Sequence, residues 1–417
     1  MSDFSLGIPN RQNWPEKSLA DISKVLRRGT APSYVAASSV RAIGQRCVQD
    51  SGFLADKARP HDPKLIESSL VAEEGDVLVN STGSGTIGRS CVFRADGLFV
   101  VDSHITVIRP REGIDPEWIN LMLRSPWGQR RLESHCFAGS TNQIELSRHQ
   151  LALTTIPVPS WGVQRRIVAL LDSLSDAERG IEASITKLRS VRQGLISEQF
   201  SWAEVEAGSP TSRMRTLDSL ADVGGGLTLG GVSSGGTLLE VPYLRVANVQ
   251  DGFVSTLEMK SVRVTPGEME RFRLRRDDVL VTEGGDFDKV GRGAVWDGRI
   301  DPCLNQNHVF RVRCDKEFLD PYFLNLYMSS AAGRRYFLRV VKQTTNLASI
   351  NSSQLKAMPV PCFPLEEQRR TVELVGSCDE RIAQEEGELA KLRELKVGLV
   401  DDLLSGRVAV SVTGAEE

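Results

Sequence analysis

The chain is written twice, and no other feature constrains its fold as strongly. Ser18-Leu19-Ala20-Asp21-Ile22 returns as Ser219-Leu220-Ala221-Asp222-Val223, and Gln49-Asp50-Ser51-Gly52-Phe53 as Gln250-Asp251-Gly252-Phe253. Asp76-Val77-Leu78-Val79 returns as Asp278-Val279-Leu280-Val281, and Ile87-Gly88-Arg89 as Val290-Gly291-Arg292. His104 matches His308, Thr141-Asn142 matches Thr345-Asn346, Pro157-Val158-Pro159 matches Pro359-Val360-Pro361, and Gln164-Arg165-Arg166 matches Gln368-Arg369-Arg370. The matches stay in order at a spacing of roughly 200 residues, far beyond any solenoid unit, so the repeating object is a pair of modules.

Each half has a mixed part, about 15–157 and 213–361, with short apolar strands, glycine-rich turns and one helical patch near Pro116–Leu132 or Pro321–Val341. A long helix follows, its start punctuated by the Pro-x-Pro pair, which cannot sit inside it. In the first copy Ile167, Leu170, Leu174, Ala177, Ile181, Leu188, Val191 and Leu195 fall at coiled-coil spacing; in the second, Val375, Cys378, Ile382, Leu389, Leu392, Leu399 and Leu403 do so. The expected class is α+β: two similar mixed α/β domains separated by two long helices that form an antiparallel coiled coil, with an internal pseudo-two-fold repeat. The expected boundaries are 1–159 for the first domain, 160–205 for the central helix, 206–361 for the second domain, and 362–417 for the last helix and tail. At about 1.5 Å per residue each helix spans roughly 55 Å. Two similar readers at a fixed separation suit an elongated ligand with two sites, and duplex DNA is the obvious one.

Gly83, Gly85 and Gly88 spell G-x-G-x-x-G after a short apolar strand, but Ser90-Cys91-Val92-Phe93 reads as extended. A dinucleotide fold needs a helix there to hold the pyrophosphate, so these glycines belong to a strand-to-strand loop. The seven cysteines lack any C-x-x-C and the five histidines lack metal-ligand spacing, which points to reduced thiols. No apolar run approaches membrane-spanning length and no secretory signal is visible, so a cytoplasmic location is expected.

The net charge of −3 does not announce a nucleic-acid binder. The bases are nevertheless concentrated at matching places. Residues 118–132 contain no acid and carry Arg124, Arg130 and Arg131; residues 321–365 contain none and carry Arg334, Arg335, Arg339, Lys342 and Lys356. These are candidate phosphate contacts. In the first glycine loop Asn80, Ser81, Thr82 and Ser84, with Arg89, are candidates to reach base edges, and Arg292, the counterpart of Arg89, is a further DNA-binding candidate. His104 and His308, on alternating apolar strands, read as structural.

The chain resembles the specificity subunits of Type I restriction-modification systems over essentially its whole length. The resemblance rests on Gly75-Asp76-Val77-Leu78-Val79 with its glycine loop, on Arg276-Asp277-Asp278-Val279-Leu280-Val281 with its own, on Thr345-Asn346 before Ile350-Asn351, and above all on Pro359-Val360-Pro361 with Glu366-Glu367-Gln368-Arg369-Arg370 and a helix ending Leu403-Leu404-Ser405-Gly406. The first copy departs at Trp161-Gly162-Val163-Gln164, which lacks the acidic pair, and the loop Glu283-Gly284-Gly285-Asp286 is unlike its partner. The resemblance implies two target recognition domains, one for each half of a bipartite asymmetric DNA target, with the helices as spacers. It implies no catalysis and no cofactor on this chain, and partners that bring both: modification subunits with S-adenosylmethionine and restriction subunits with ATP and Mg. The alternative is a stand-alone DNA-binding or coiled-coil scaffold protein. A lone methyltransferase is disfavoured by the absence of Pro-Pro, and a nuclease by the absence of a carboxylate cluster beyond Glu258-Met259-Lys260.

The spacer reading has a measurable consequence. Four helix-forming residues inserted near Ser184 add about one turn, roughly 6 Å. That length corresponds to somewhat under two base pairs, at about 3.4 Å per pair. The variant is expected to keep both half-site sequences and to prefer a gap longer by about one or two base pairs, read by methylation of a library of gap lengths. An active variant with an unmoved gap preference would refute the ruler.

Overall fold

The computed structural model describes residues 10, 12–139, 144–206, 214–228, 237–285, 290–343 and 348–408, excluding the side chains of 202–206 and 342–343. Thr141-Asn142, Thr345-Asn346, Asp286 and the Lys342 side chain therefore lie outside the described residues. The chain forms two compact units. One runs to Ile181 and resumes at Glu388; the other runs from Glu182 to Gly387.

In the first unit, Ile105–Pro110 is the inner strand of a four-stranded sheet, antiparallel to both Ser23–Arg28 and Val77–Asn80, with Ser90–Val92 outside the latter. In the second unit, Val309–Cys314 takes the same place between Ala221–Gly224 and Val279–Thr282, with Gly293–Val295 outside. The register is the same: Ile108 faces Val77, and Val312 faces Val279. Val77–Asn80 and Val279–Thr282 are buried at every position, on both faces, which is why each reads as an apolar run broken only at its last residue. Each unit also carries a second sheet with a parallel pair, Leu98–Val101 beside Val40–Ile43 and Leu304–Asn305 beside Leu239–Leu244.

A buried ion pair repeats with the frame. Arg109 grips Asp76 through Nε and Nη2 at 2.8 and 2.9 Å, and Arg313 grips Asp278 at 2.7 Å through the same two nitrogens. Both carboxylates also cap a local backbone N–H, from Glu73 and Arg275. Complete pairing is what makes such burial tolerable.

The helical patches differ from expectation: each is two helices, Pro116–Arg124 then Pro126–Arg131, and Pro321–Ser329 then Ala331–Val340. The break lies at a serine that caps the next helix. Ser125 Oγ accepts from Gly128 N–H at 3.0 Å and Ser330 Oγ from Gly333 N–H at 3.3 Å. The two helices meet so closely that a Cβ at Gly128 or Gly333 would stand 2.1 or 2.2 Å from the Met122 or Tyr327 carbonyl oxygen.

The second Pro-x-Pro is a strand, and the first begins at the last residue of one. Thr155–Pro157 pairs with Glu16–Ser18, and Pro359–Pro361 with Met214–Thr216. The long helices Trp161–Glu206 and Leu365–Leu404 follow. At each start a glutamine is buried completely. Gln164 Oε1 accepts from Asp115 N–H at 2.9 Å, and its amide donates to the Pro159 and Gly113 carbonyls at 2.8 and 3.3 Å. Gln368 repeats this with Asp320 N–H at 2.9 Å and the Phe363 and Phe318 carbonyls at 2.8 and 2.9 Å. Ile167, Val168 and Leu171 enter the first core beside Trp118; Ile196, Phe200 and Val375 enter the second beside Phe323 and Tyr327.

Heptad spacing is present, with one correction. On the second helix every expected apolar position is buried or half-buried, and the inward series also takes Glu385 and Lys396. On the first helix the inward series is Ile167, Leu171, Leu174, Glu178, Ile181, Ile185, Leu188, Arg192 and Leu195; Leu170, Ala177 and Val191 face solvent. Polar seam residues are paired. Glu178 meets Arg393 at 2.7 Å and Lys396 at 2.9 Å, and those cations hold its carboxyl below the usual range. This contribution is present above the ordinary glutamate range and lost as pH falls through the depressed value. In the second unit Arg192 meets Asp379 and Arg189 meets Glu386, each at 2.6 Å. Residue numbers rise on one helix as they fall on the other, so the segments pack antiparallel.

The glutamine clamp generates a stability test. Gln368→Leu leaves one N–H and two carbonyls buried without their partner and is expected to destabilise the chain by on the order of 3 kcal/mol, read as a lower urea midpoint at unchanged slope. A shift under about 0.5 kcal/mol would deny the amide a structural role.

Candidate nucleic-acid interface

In the first unit the loop between Val77–Asn80 and Ser90–Val92 closes on its own domain. Gly83, Gly85 and Gly88 all have positive φ, and no helix follows. A Cβ at Gly88 would meet the Phe137 ring at 3.0 Å, and Gln129 Nε2 donates to the Gly88 carbonyl at 3.2 Å. The loop is therefore seated on the helix that carries Arg130 and Arg131.

The polar loop candidates divide by burial. Asn80 and Ser81 are both 0% exposed. Ser81 Oγ bonds to Thr106 Oγ1 at 2.6 Å, and the Asn80 amide reaches the Gln45 carbonyl at 3.5 Å. Both side chains are enclosed within the domain, where they shape the turn, and are not displayed outward as the expectation of base-edge contact requires. Ser84 is exposed, and Thr82 is half-buried with its hydroxyl 2.8 Å from His104 Nδ1.

Arg89 and Arg124 converge on one open pocket of about 290 Å³ lined also by Asp50, Gly85, Thr86 and Gln129. Arg89 donates to Gln49 Oε1 at 2.9 Å and lies 3.4 Å from the Asp50 carboxylate; Arg124 donates to the Asp50 carbonyl at 2.8 Å. Arg46 and Lys57 line an adjoining pocket that shares Arg89. Arg130 is exposed, and the Arg131 guanidinium lies 5.9 Å from the Trp127 ring centre.

Sequence reasoning missed a second basic groove. Arg27, Arg28 and Arg148 line an open space of about 620 Å³ with Ala138, Glu145, Leu146 and Ser147. Arg28 anchors it, donating to Glu145 and to the Leu146 carbonyl, each at 3.1 Å. The Arg27-Arg28 doublet was legible, but a search for bases matched between the halves passes over it.

In the second unit Arg334 Nη1 donates to the Val290 carbonyl at 2.6 Å, fastening Ala331–Val340 to the turn at Gly291. Arg292 is half-buried, and its carbonyl accepts from Thr282 N–H at 2.9 Å. Arg335 is exposed, and the Arg339 guanidinium lies 5.6 Å from the Tyr336 ring centre. His308 is exposed, with Nδ1 held 2.6 Å from Glu283 Oε2.

Burial pushes the thiols of Cys91 and Cys303 up to about 12, far from nucleophilic use. Among the described residues no group of His, Cys, Asp and Glu side chains is placed to hold a metal ion, and no helix is long and apolar enough to cross a membrane.

A family model for the Type I restriction modification DNA specificity domain matches residues 11–187. The chain is similar to a Methanocaldococcus jannaschii protein named for the specificity subunit of the type I restriction enzyme MjaX, at 23% identity over 39% of each chain. It thus spans well under half of that relative. It is similar to the Type I restriction enzyme EcoKI specificity subunit of Escherichia coli K12, at 23% identity over 82% of this chain and 76% of that one. Its fold matches the crystal structure of the HsdS subunit from Thermoanaerobacter tengcongensis with a TM-score of 0.52 at 18% identity, covering 98% of this chain and 100% of that chain.

Proposed function

We infer that this chain belongs to the Type I restriction-modification DNA specificity family, is the sequence-recognition subunit of such a complex and reads a bipartite target, one half-site per mixed domain. The observation that carries the reading is one frame furnished in two ways. Strand register, buried ion pair, serine break and glutamine clamp repeat, whereas the loops and basic groups beside them differ. Invariant frames with divergent loops are what two readers of unlike half-sites require.

Recognition, not catalysis, is the role of this chain. Double-stranded DNA is its ligand, modification and restriction subunits are its protein partners, and S-adenosylmethionine, ATP and Mg belong to those partners. A cytoplasmic location follows from that role. Arg27, Arg28, Arg46, Arg89, Arg124, Arg130, Arg131 and Arg148 in one half, with Arg292, Arg334, Arg335, Arg339 and Lys342 in the other, supply positive charge for phosphates. The long helices bear a second apolar set outside the seam: Leu170, Val191, Leu374, Leu395 and Val397 are 42 to 70% exposed. Such residues suit protein partners docking on the helices.

The reading is tested by replacing residues 213–358 with the equivalent region of a relative and mapping methylation by the assembled complex. One half of the target is expected to change; a change in both halves would refute the two-reader model. Arg130→Ala with Arg148→Ala is expected to weaken binding to all sequences alike and to flatten the salt dependence by about 0.9 units per lost contact. An unchanged slope would remove both from the phosphate set. Leu395→Asp with Val397→Asp is expected to reduce association with the modification subunits while the unfolding free energy from urea titration stays within about 0.5 kcal/mol of wild type. Full association would locate docking elsewhere.

A further inference from the structure

Two exposed histidines occupy the same place in the two units. His104 immediately precedes the inner strand Ile105–Pro110, and His308 immediately precedes Val309–Cys314. Each is fixed through its backbone, the His104 carbonyl accepting from Ser81 N–H at 2.8 Å and the His308 carbonyl from Glu283 N–H at 2.9 Å. The next residue in each case, Ile105 or Val309, is fully buried. Each imidazole thus stands at the rigid end of a sheet, beside the loop that follows the neighbouring strand.

Each ring is also oriented. Nδ1 is held by Thr82 Oγ1 at 2.8 Å in the first unit and by Glu283 Oε2 at 2.6 Å in the second. Among the described residues none takes Nε2, so a polar edge is presented outward on a ring that cannot swing freely. A core histidine would be buried, and a merely solvated one would not be anchored twice.

The two anchors differ in what they allow. Gln45 Nε2 donates to the Thr82 hydroxyl oxygen, which keeps a second lone pair, so Thr82 can donate to His104 Nδ1 or accept from it. Glu283 can only accept, so His308 carries a proton on Nδ1. A donor complements N7, guanine O6 or thymine O4 in the major groove; an acceptor complements the amino group of adenine or cytosine.

We propose that His104 and His308 are specificity-determining residues, each contacting one base edge of its half-site through Nε2. The proposal rests on the bipartite-reader function above and names the residues that carry it. The frames are equivalent and the anchors are not, so the same residue type can read unlike bases in the two halves.

The test uses the complete modification complex and a substrate library randomised at every target position. His104→Ala is expected to relax one position of one half-site, and His308→Ala one position of the other, each by on the order of tenfold in discrimination. His→Gln at either site, which keeps an amide near the Nε2 position, is expected to retain part of the preference. Glu283→Gln can accept from or donate to Nδ1, so it permits both tautomers and is expected to broaden the His308 position without touching the other half-site. The salt slope should not move. Full discrimination in both alanine variants would overturn the proposal, as would a flattened salt slope with base preference intact, which would mark a phosphate contact, or relaxation of both half-sites by one substitution, which would mark a packing defect. A wild-type complex with no bipartite target would instead sink the functional reading itself.

Discussion

The buried glutamine amide at the head of each long helix is the contact on which the rest of each unit depends. An amide taken out of water without partners costs several kcal/mol, so Gln164 and Gln368 are tolerable only because oxygen and nitrogen are both satisfied. Their partners are the N–H of Asp115 or Asp320, which starts a domain helix, and carbonyls from the loop before that helix and from the Pro-x-Pro exit. One side chain therefore fixes three chain segments at once. The exit is secured again by Trp118 Nε1, which donates to the Pro157 carbonyl at 2.9 Å, and by Tyr327 Oη, which donates to the Pro359 carbonyl at 2.8 Å. The direction in which each helix leaves its domain is a consequence of these bonds.

What repeats and what diverges follows one rule. Buried polar contacts recur because losing one partner strands the other, as with Asp76 and Arg109 or Asp278 and Arg313. Groups at the surface have no such constraint. The groove of Arg27, Arg28 and Arg148 lies at the strand Ser23–Arg28, whose counterpart Ala221–Gly224 ends in glycine. Recognition chemistry can thus change in one unit without disturbing its frame.

The frame was legible in the sequence because it is the repeated part, and the strand-to-strand glycine loop was legible because no helix pattern followed it. Elsewhere the sequence misled for physical reasons. Ala177 and Val191 look like seam residues because pattern reading assigns apolar side chains inward, yet Glu178 and Arg192 hold those places through ion pairs that a binary pattern cannot show. The helical patches read as continuous because Ser125 and Ser330 are small polar residues within a periodic run; their capping bonds end one helix and start the next. Asn80 and Ser81 looked like readers because a polar side chain near a loop suits a ligand or a turn equally well, and only burial decides. The histidines looked like strand residues because the runs beside them are apolar, although each sits just outside its strand, where the ring is exposed.

The polar seam serves register more than stability. Replacing a paired seam carboxylate by leucine is often neutral or stabilising, so Glu178 is not explained by the strength of its bonds to Arg393 and Lys396. Its consequence appears on displacement. A slip of one heptad would set Glu178 opposite Leu389 or Leu403 in place of Lys396, leaving a carboxylate against apolar neighbours and two cations without their partner. An apolar seam would resist that slip far less, since leucine meets leucine at every register. For a chain whose proposed work is to read two half-sites across a set gap, an error of one heptad is worse than a loss of a kcal/mol, and charges in the seam are the economical safeguard against it.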